Sequence, residues 1–551
     1  MKRITLIIST IFAVALFSAL FTGCGNETVI INPEFDATDA DYMIISKIER
    51  TDTATIVYAS VYNLPNYWVY LSSKGKLRDR KGKTYKLLDC TGFQLDKEVF
   101  MPESGTVSFV LYFEPVDRNE KVVDYIDLDE NNETITGIKL YEVKHTEPVR
   151  CLLKGEVIDR PQSNRLLLLK AGEDFRTAKV TYIPILDGKF EYTLHANFEE
   201  AYQLIFYDEA RKAAWRPVFF IAESGTLEFT LNNENEWMHN TIKGGKHTEA
   251  YNAVMEALNE EMEPAYKTLN EKWQQLYNEK RYYTPEAGEI YKQLETLAND
   301  TTSKRYALYE RISQLEKEGK MLSEEATALN KESEMIYQTV YVDKLLEYAK
   351  EHPDITGYTL LVENIRRGIE QKRRNRDVSP LLAVFHDVYE KKYPNHPYTS
   401  LIQSYVQAAA IQTGKPCPDV TARDVNTGKD VRLSELIKGK VALVHLWASW
   451  CGPCRNHGRQ MIPVYEMYKD KGFTVVGIAR EQKKEAMDMA LEKDHYPWIN
   501  LLELNDAHGI WTKFGIGNAG GGEFLVDDRG NLLAVNATPE EMKKILQELF
   551  D

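Results

Sequence analysis

After residue 23, this 551-residue chain has no apolar run long enough to cross a bilayer, so no later segment is expected to span a membrane. Basic charge is not in excess: 68 Lys and Arg stand against 83 Asp and Glu, a formal net charge of −15. A nucleic-acid-binding surface needs a basic footprint, so that class of partner is excluded. Only one Cys-x-x-Cys pair occurs, Cys451 and Cys454, and the second pair that would complete a four-cysteine zinc site is missing. What is present is 43% hydrophobic and 27% charged, the balance of a globular protein, in a chain too long for one core. Three or four domains are expected.

Lys2 and Arg3 precede the apolar run "ITLIISTIFAVALFSALFTG" and then Cys24. A basic start, an apolar stretch and small residues before a cut describe a secretory signal over residues 1–23. The run is also about long enough for a permanent anchor, but Gly23-Cys24-Gly25 ends it at a processing-like site. "LFTGC" resembles a bacterial lipobox, with Phe21 where Leu is more usual. That resemblance implies cleavage before Cys24, lipidation of its sulfur, and a tethered protein in a compartment where disulfides persist. Without Cys24, five cysteines are left: 90, 151, 417, 451 and 454. Cys90 and Cys151 lie in β-rich sequence and are read as buried free thiols, with a disulfide between them left open.

Four zones follow: two all-β domains, an α-helical middle and a C-terminal α/β domain. Residues 24–145 carry "TATIVYASVY" and "GTVSFVLYFEPV", β-branched and aromatic with partial alternation, and an Ig-like sandwich is expected. Residues 146–240 form a second β zone, with a hairpin expected at Asp187-Gly188 between "TYIPIL" and "KFEYTL". Its "DGKFEYTL" and "FFIAESGTLEFTL" resemble the small DUF4369 domain that precedes a thioredoxin-like domain in many exported Bacteroidetes proteins. Residues 246–410 repeat apolar residues at steps of three and four, which predicts long antiparallel helices; their basic run "ENIRRGIEQKRRNRD" is read as a solvated helix end or a docking patch for an acidic partner. From 411 to 551 strands and helices alternate, ending in a hairpin around Arg529-Gly530 and a helix with Pro539 in its first turn.

The pair sits where the strand "KVALVHLWAS" gives way to a helix. A thiolate, not a thiol, attacks a disulfide. The free N–H groups and the dipole at a helix start favour that negative charge, so Cys451 is the expected nucleophile. Cys454 lies one turn inward, placed to resolve a mixed disulfide on Cys451. Zinc would need further ligands, and only His457 is near. No metal and no cofactor beyond the redox-active disulfide Cys451–Cys454 is expected. A structural disulfide would leave the flanking Trp447 and Trp450 unexplained.

"GKPCPDVTARDVNTGKDVRLSELIKGKVALVHLWASWCGPCRNH", "YKDKGFTVVGIA" and "EFLVDDRGNLLA" resemble the TlpA/ResA branch of the thioredoxin superfamily over about the last quarter of the chain. The resemblance implies a thioredoxin fold and a membrane-anchored, extracytoplasmic thiol–disulfide oxidoreductase. It assigns Cys451 and Cys454 to the redox pair and Trp450, Gly452 and Pro453 to its frame, the Gly-Pro dipeptide leaning toward reduction. Two positions depart from the family. Where its members carry a cis proline, "GNAGGGEFLVDD" offers Gly520, Gly521 or Gly522, with Gly521 the best match, and a flexible trans loop beside Cys451 is expected. His445 replaces a buried Asp or Asn and is read as a proton shuttle for Cys454 or a satisfied core histidine. Cys417 is read as a small buried residue or a third redox thiol.

The leading expectation is therefore a periplasmic reductase or isomerase of exported proteins, lipid-anchored to the inner or outer membrane and recharged by a membrane electron donor. The β and helical zones would serve as spacer, partner-selecting surface or homodimer interface through the helices. The alternative is a non-catalytic scaffolding lipoprotein that keeps the fold for docking. A peroxidase fits the Trp-framed pair poorly.

Overall fold

The computed structural model describes residues 28–551 apart from 39, 41, 128–133, 213, 298–302, 371–375 and 519. Residues 1–23, read from the sequence as a signal, and Cys24 lie outside the described residues, as does part of the basic run. No described helix is long and apolar enough to cross a membrane. The chain divides into two compact units, Met1–His145 and Thr146–Asp551.

In the first unit, alternation buries one face of Met43–Arg50, Thr55–Tyr62 and Thr106–Phe113, which pair antiparallel. They belong to a nine-stranded sheet. Thr84–Thr91 pairs with Lys76–Asp79 at its start and with Thr106–Phe113 at its end, so one strand joins both halves. Ile48, Val57, Phe113, Tyr125 and Ile138 from the two halves share one core.

The second unit opens with two four-stranded sheets around Cys151, Leu166, Phe190 and Phe220. Cys151 is buried and Cys90 half-buried; both are free thiols. The Asp187-Gly188 turn forms, with positive φ at both residues and Leu186 bridged to Lys189. Its arms do not make the expected hairpin. Thr181–Pro184 pairs within one sheet and Lys189–Ala196 within the other, so the turn crosses between layers. Ile183 and Phe190 both reach the shared core that way.

Helices follow from Lys246–Asn278 onward. The second long helical stretch is broken: Lys317 ends one helix, Gly319 takes a left-handed φ of 67°, and Ser323 caps Glu324–Ile336. Ile355–Glu370 is buried almost all round, in a core with Tyr389, Tyr398 and Ile402 that also takes in Ala201 and Ile221 of the β layer. Helices and β layer thus share one hydrophobic core.

The last zone contains strands β1 (Thr421–Asp424), β2 (Asp430–Arg432), β3 (Val441–Trp447), β4 (Phe473–Glu481), β5 (Ile499–Leu504), β6 (Gly522–Val526) and β7 (Leu532–Val535). Its helices are α1 (Leu433–Ile437), α2 (Gly452–Tyr468), α3 (Lys484–Asp494), α4 (Ile510–Lys513) and α5 (Pro539–Phe550). The sheet order is β2-β1-β5-β4-β3-β6-β7. β5, β4 and β3 run parallel, and β6 returns antiparallel to β3. β3 and β4 are buried nearly throughout, as central strands covered on both faces must be. Thr538 and Glu541 close a capping box at the start of α5, with Pro539 in its first turn. This is a thioredoxin fold, with the C-terminal end of β3 leading into α2.

Candidate active site

Cys451 is the N-cap of α2, and its Sγ accepts the Cys454 N–H at 3.3 Å. One free donor of the helix start is therefore aimed at the sulfur. Pro453 sits in the first turn, where a missing N–H costs nothing. The two cysteines form a disulfide with Cα atoms 5.4 Å apart. They are almost equally covered, at 5% and 6% exposure. The turn before them is held rigidly: Ser449 donates through N–H and Oγ to buried Glu481, and Arg455 spans from the Ser449 carbonyl to both oxygens of Asp494. Burial raises the Glu481 carboxyl above its ordinary range despite the bonds from Ser449.

Of the three glycines, Gly521 lies against the pair. A side chain there would overlap the Leu446 carbonyl and stand 3.0 Å from Cys454 Sγ. The neighbour is thus the inner cysteine rather than Cys451, and space rather than unusual backbone angles demands the glycine: none of Gly520, Gly521 and Gly522 has a left-handed φ. Gly520 has open space beside it, and its carbonyl accepts the Trp511 indole N–H at 2.9 Å. A Cβ on Gly522 would meet only the ends of the Ile516 and Phe524 side chains and Asn536.

His445 is fully buried and paired across the sheet with Glu523. Directly opposed residues share a face, so both side chains point to the same side. His457 reaches that side from α2, three residues and one turn beyond Cys454. Its ring stacks on His445 at 5.8 Å between centroids. Glu523 Oε1 lies 3.6 Å from His445 Nδ1 and 3.7 Å from His457 Nδ1. Burial lowers the His457 imidazole. Burial also pushes the Glu523 carboxyl up, but His457 and His445 outweigh it and leave the group below the usual carboxylate range. Cys417, like Ile411 and Leu436, packs partly buried against the domain core, and burial pushes its thiol up to about 12.

The rim is built partly from the second β zone. Arg176 lies 4.1 Å over the Trp450 ring, donates to the Asn518 carbonyl at 2.6 Å and is paired with buried Asp174. Asn518 donates back to the Gly172 carbonyl, Thr177 donates to Asp506, and Gln482 donates to the carbonyls of Phe175 and Ala178. Residues 172–178 thereby grip both Trp450 and the loop before Gly521. Nothing in the local sequence marks Arg176, which lies 274 residues before Trp450 along the chain (450 − 176). Glu523 was within reach, because the alternation that turns His445 inward does the same for its cross-strand neighbour.

The AhpC/TSA family matches residues 413–535. The thiol-disulfide oxidoreductase ResA of Geobacillus thermodenitrificans is 22% identical over 155 residues, which cover 28% of this chain and 86% of that protein. ResA of Bacillus cereus is 31% identical over 142 residues, 25% of this chain and 79% of that protein. Among solved structures, the thioredoxin domain of a thiol-disulfide oxidoreductase from Bacteroides vulgatus is 26% identical, covering 26% of this chain and 100% of that domain at a TM-score of 0.24.

Proposed function

We propose, for a chain that belongs through its C-terminal domain to the thioredoxin-like thiol-disulfide oxidoreductases of the ResA type, that Cys451 and Cys454 reduce or isomerise disulfides in exported proteins. The observation that carries this reading is the helix N-cap at Cys451, with the Cys454 N–H directed at its sulfur. That donor and the helix dipole favour a thiolate on Cys451 over one on Cys454.

The Cys451 thiolate attacks one sulfur of the substrate disulfide. The substrate S–S bond breaks, its second sulfur leaves as a thiolate and takes a proton, and a mixed disulfide forms on Cys451. Cys454 then loses its proton and attacks Cys451 Sγ, which releases the remaining substrate sulfur as a thiol. Two electrons have passed from the protein dithiol to the substrate, and the pair is left as the disulfide. We assign His445 to accept the Cys454 proton. A dithiol carrier in the membrane would return the two electrons, consistent with the signal segment and the Cys24 lipidation site read from the sequence. On this reading the protein works in the cell envelope, tethered at Cys24. Gly452 and Trp450 frame the approach to Cys451, and Arg176 forms one wall of it.

The docking-only reading is less well supported, because it gives no role to a retained pair at an N-cap. The test is reduction of insulin with dithiothreitol as donor. The wild-type chain should accelerate precipitation and Cys451→Ser should not; equal rates would remove the assignment. Cys454→Ser should accumulate mixed disulfides with exported proteins.

A further inference from the structure

Three potential metal ligands meet beneath the cysteine helix without making the bonds that would satisfy one another. The separations of 3.6 and 3.7 Å from Glu523 Oε1 to His445 Nδ1 and His457 Nδ1 exceed hydrogen-bond range. Among the described residues, neither ring nitrogen of His445 nor Nδ1 of His457 has a hydrogen-bond partner, although these atoms are shielded from solvent. Leaving such groups unpaired in a protein interior is unfavourable. One ligand atom from each of the three residues lies within 4.8 Å of the others. Two ligands bound at about 2.0–2.2 Å to a tetrahedral ion stand roughly 3.3–3.6 Å apart, so the two separations from Glu523 need little closure.

We propose that His445, His457 and Glu523 form a binding site for one divalent transition-metal ion of the zinc class. Two imidazoles and a carboxylate are a recognised donor set for that class, with a fourth position left to water or another ligand. The backbone already fixes two of the three: the His445–Glu523 register is set by the β3–β6 ladder. The third is fixed by the turn of α2 that carries Cys454. His457 Nε2 lies 3.4 Å from the Ala537 carbonyl, the kind of outer contact that orients a ligating imidazole through its other nitrogen. Oxidation of the cysteines is not required for this site, and neither cysteine is assigned to it.

The test uses the full chain carrying Cys451→Ser and Cys454→Ser, which removes the thiols as ligands and makes the result independent of redox activity. Co²⁺ titration should give one equivalent with the intense visible bands of a four-coordinate site, and Zn²⁺ should displace it. Adding His457→Gln or Glu523→Gln should weaken Zn²⁺ at least about tenfold in a competition assay. Thermal unfolding in chelator should match the parent for at least one of these two variants, which shows that the loss is of ligands and not of fold. Less than half an equivalent of Co²⁺, a six-coordinate spectrum, or an affinity that neither substitution changes would overturn the proposal.

Discussion

A methyl group on Gly521 would overlap the Leu446 carbonyl and press on Cys454 Sγ, whereas one on Gly520 would meet nothing within 4 Å. Gly521→Ala is therefore expected to destabilise the oxidised protein by about 1–3 kcal/mol, the usual cost of forcing atoms into a packed site. Gly520→Ala should stay within about 0.5 kcal/mol of wild type. Urea unfolding of the two variants side by side checks this, and the reverse order would show that the glycine run packs differently. The cysteines make a second residue-level prediction. Their exposures of 5% and 6% are too similar for access to choose between them, so any preference must come from the N-cap donor on Cys451. Reduced protein treated with less than one equivalent of iodoacetamide at neutral pH should carry the label on Cys451, read by peptide mass spectrometry. Labelling mainly at Cys454 would contradict the thiolate assignment.

The loop of residues 172–178 and the active-site rim meet as two elements, and their contact was not legible in the sequence. The strand–helix–strand order of the last zone was legible, because buried strands, Pro at helix starts and the Cys-Gly-Pro-Cys turn are local signals. The Asp187-Gly188 turn was legible too, but the sheet that each arm joins depends on packing over Ile183 and Phe190, which no local pattern states. Arg176 over Trp450 is an extreme case of the same limit. The contact predicts selectivity. A cation held over an aromatic face is worth about 0.5–1 kcal/mol at a partly exposed site. Arg176→Ala should loosen the rim and raise kcat/KM for unfolded insulin by about two- to fivefold. A small aromatic disulfide, which does not need the rim opened, should be reduced at the wild-type rate. Equal changes for both substrates would mean that Arg176 acts on the cysteines' reactivity and not on access to them.

Across the second unit, acidic groups are buried where the β zone meets the C-terminal domain. Glu173 sits in the gripping loop and Glu503 on β5, and burial pushes both carboxyls up to about 7. Asp506 adds to both shifts; Arg480, bonded to Asp506, works against that of Glu503. The composition showed an acidic protein, but not which carboxylates would be enclosed, because that follows from packing between zones far apart in the chain. The sign is determined by the direction of the shift. A carboxyl whose folded pKa lies above its ordinary value of 4.5 favours the folded state while protonated. Its contribution is complete below about 4.5 and is lost as the pH rises to about 7. Glu503→Gln keeps an oxygen to accept the N–H groups of His508 and Ile510 and cannot ionise. Relative to wild type, it should therefore be nearly neutral at pH 5 and stabilising at pH 8, by roughly 2–4 kcal/mol at about 1.4 kcal/mol per pKa unit. Thermal unfolding of both proteins at the two pH values measures the difference. A gain that is the same at pH 5 and pH 8 would mean that Glu503 ionises freely, and that the junction carries no buried carboxylic acid on that strand.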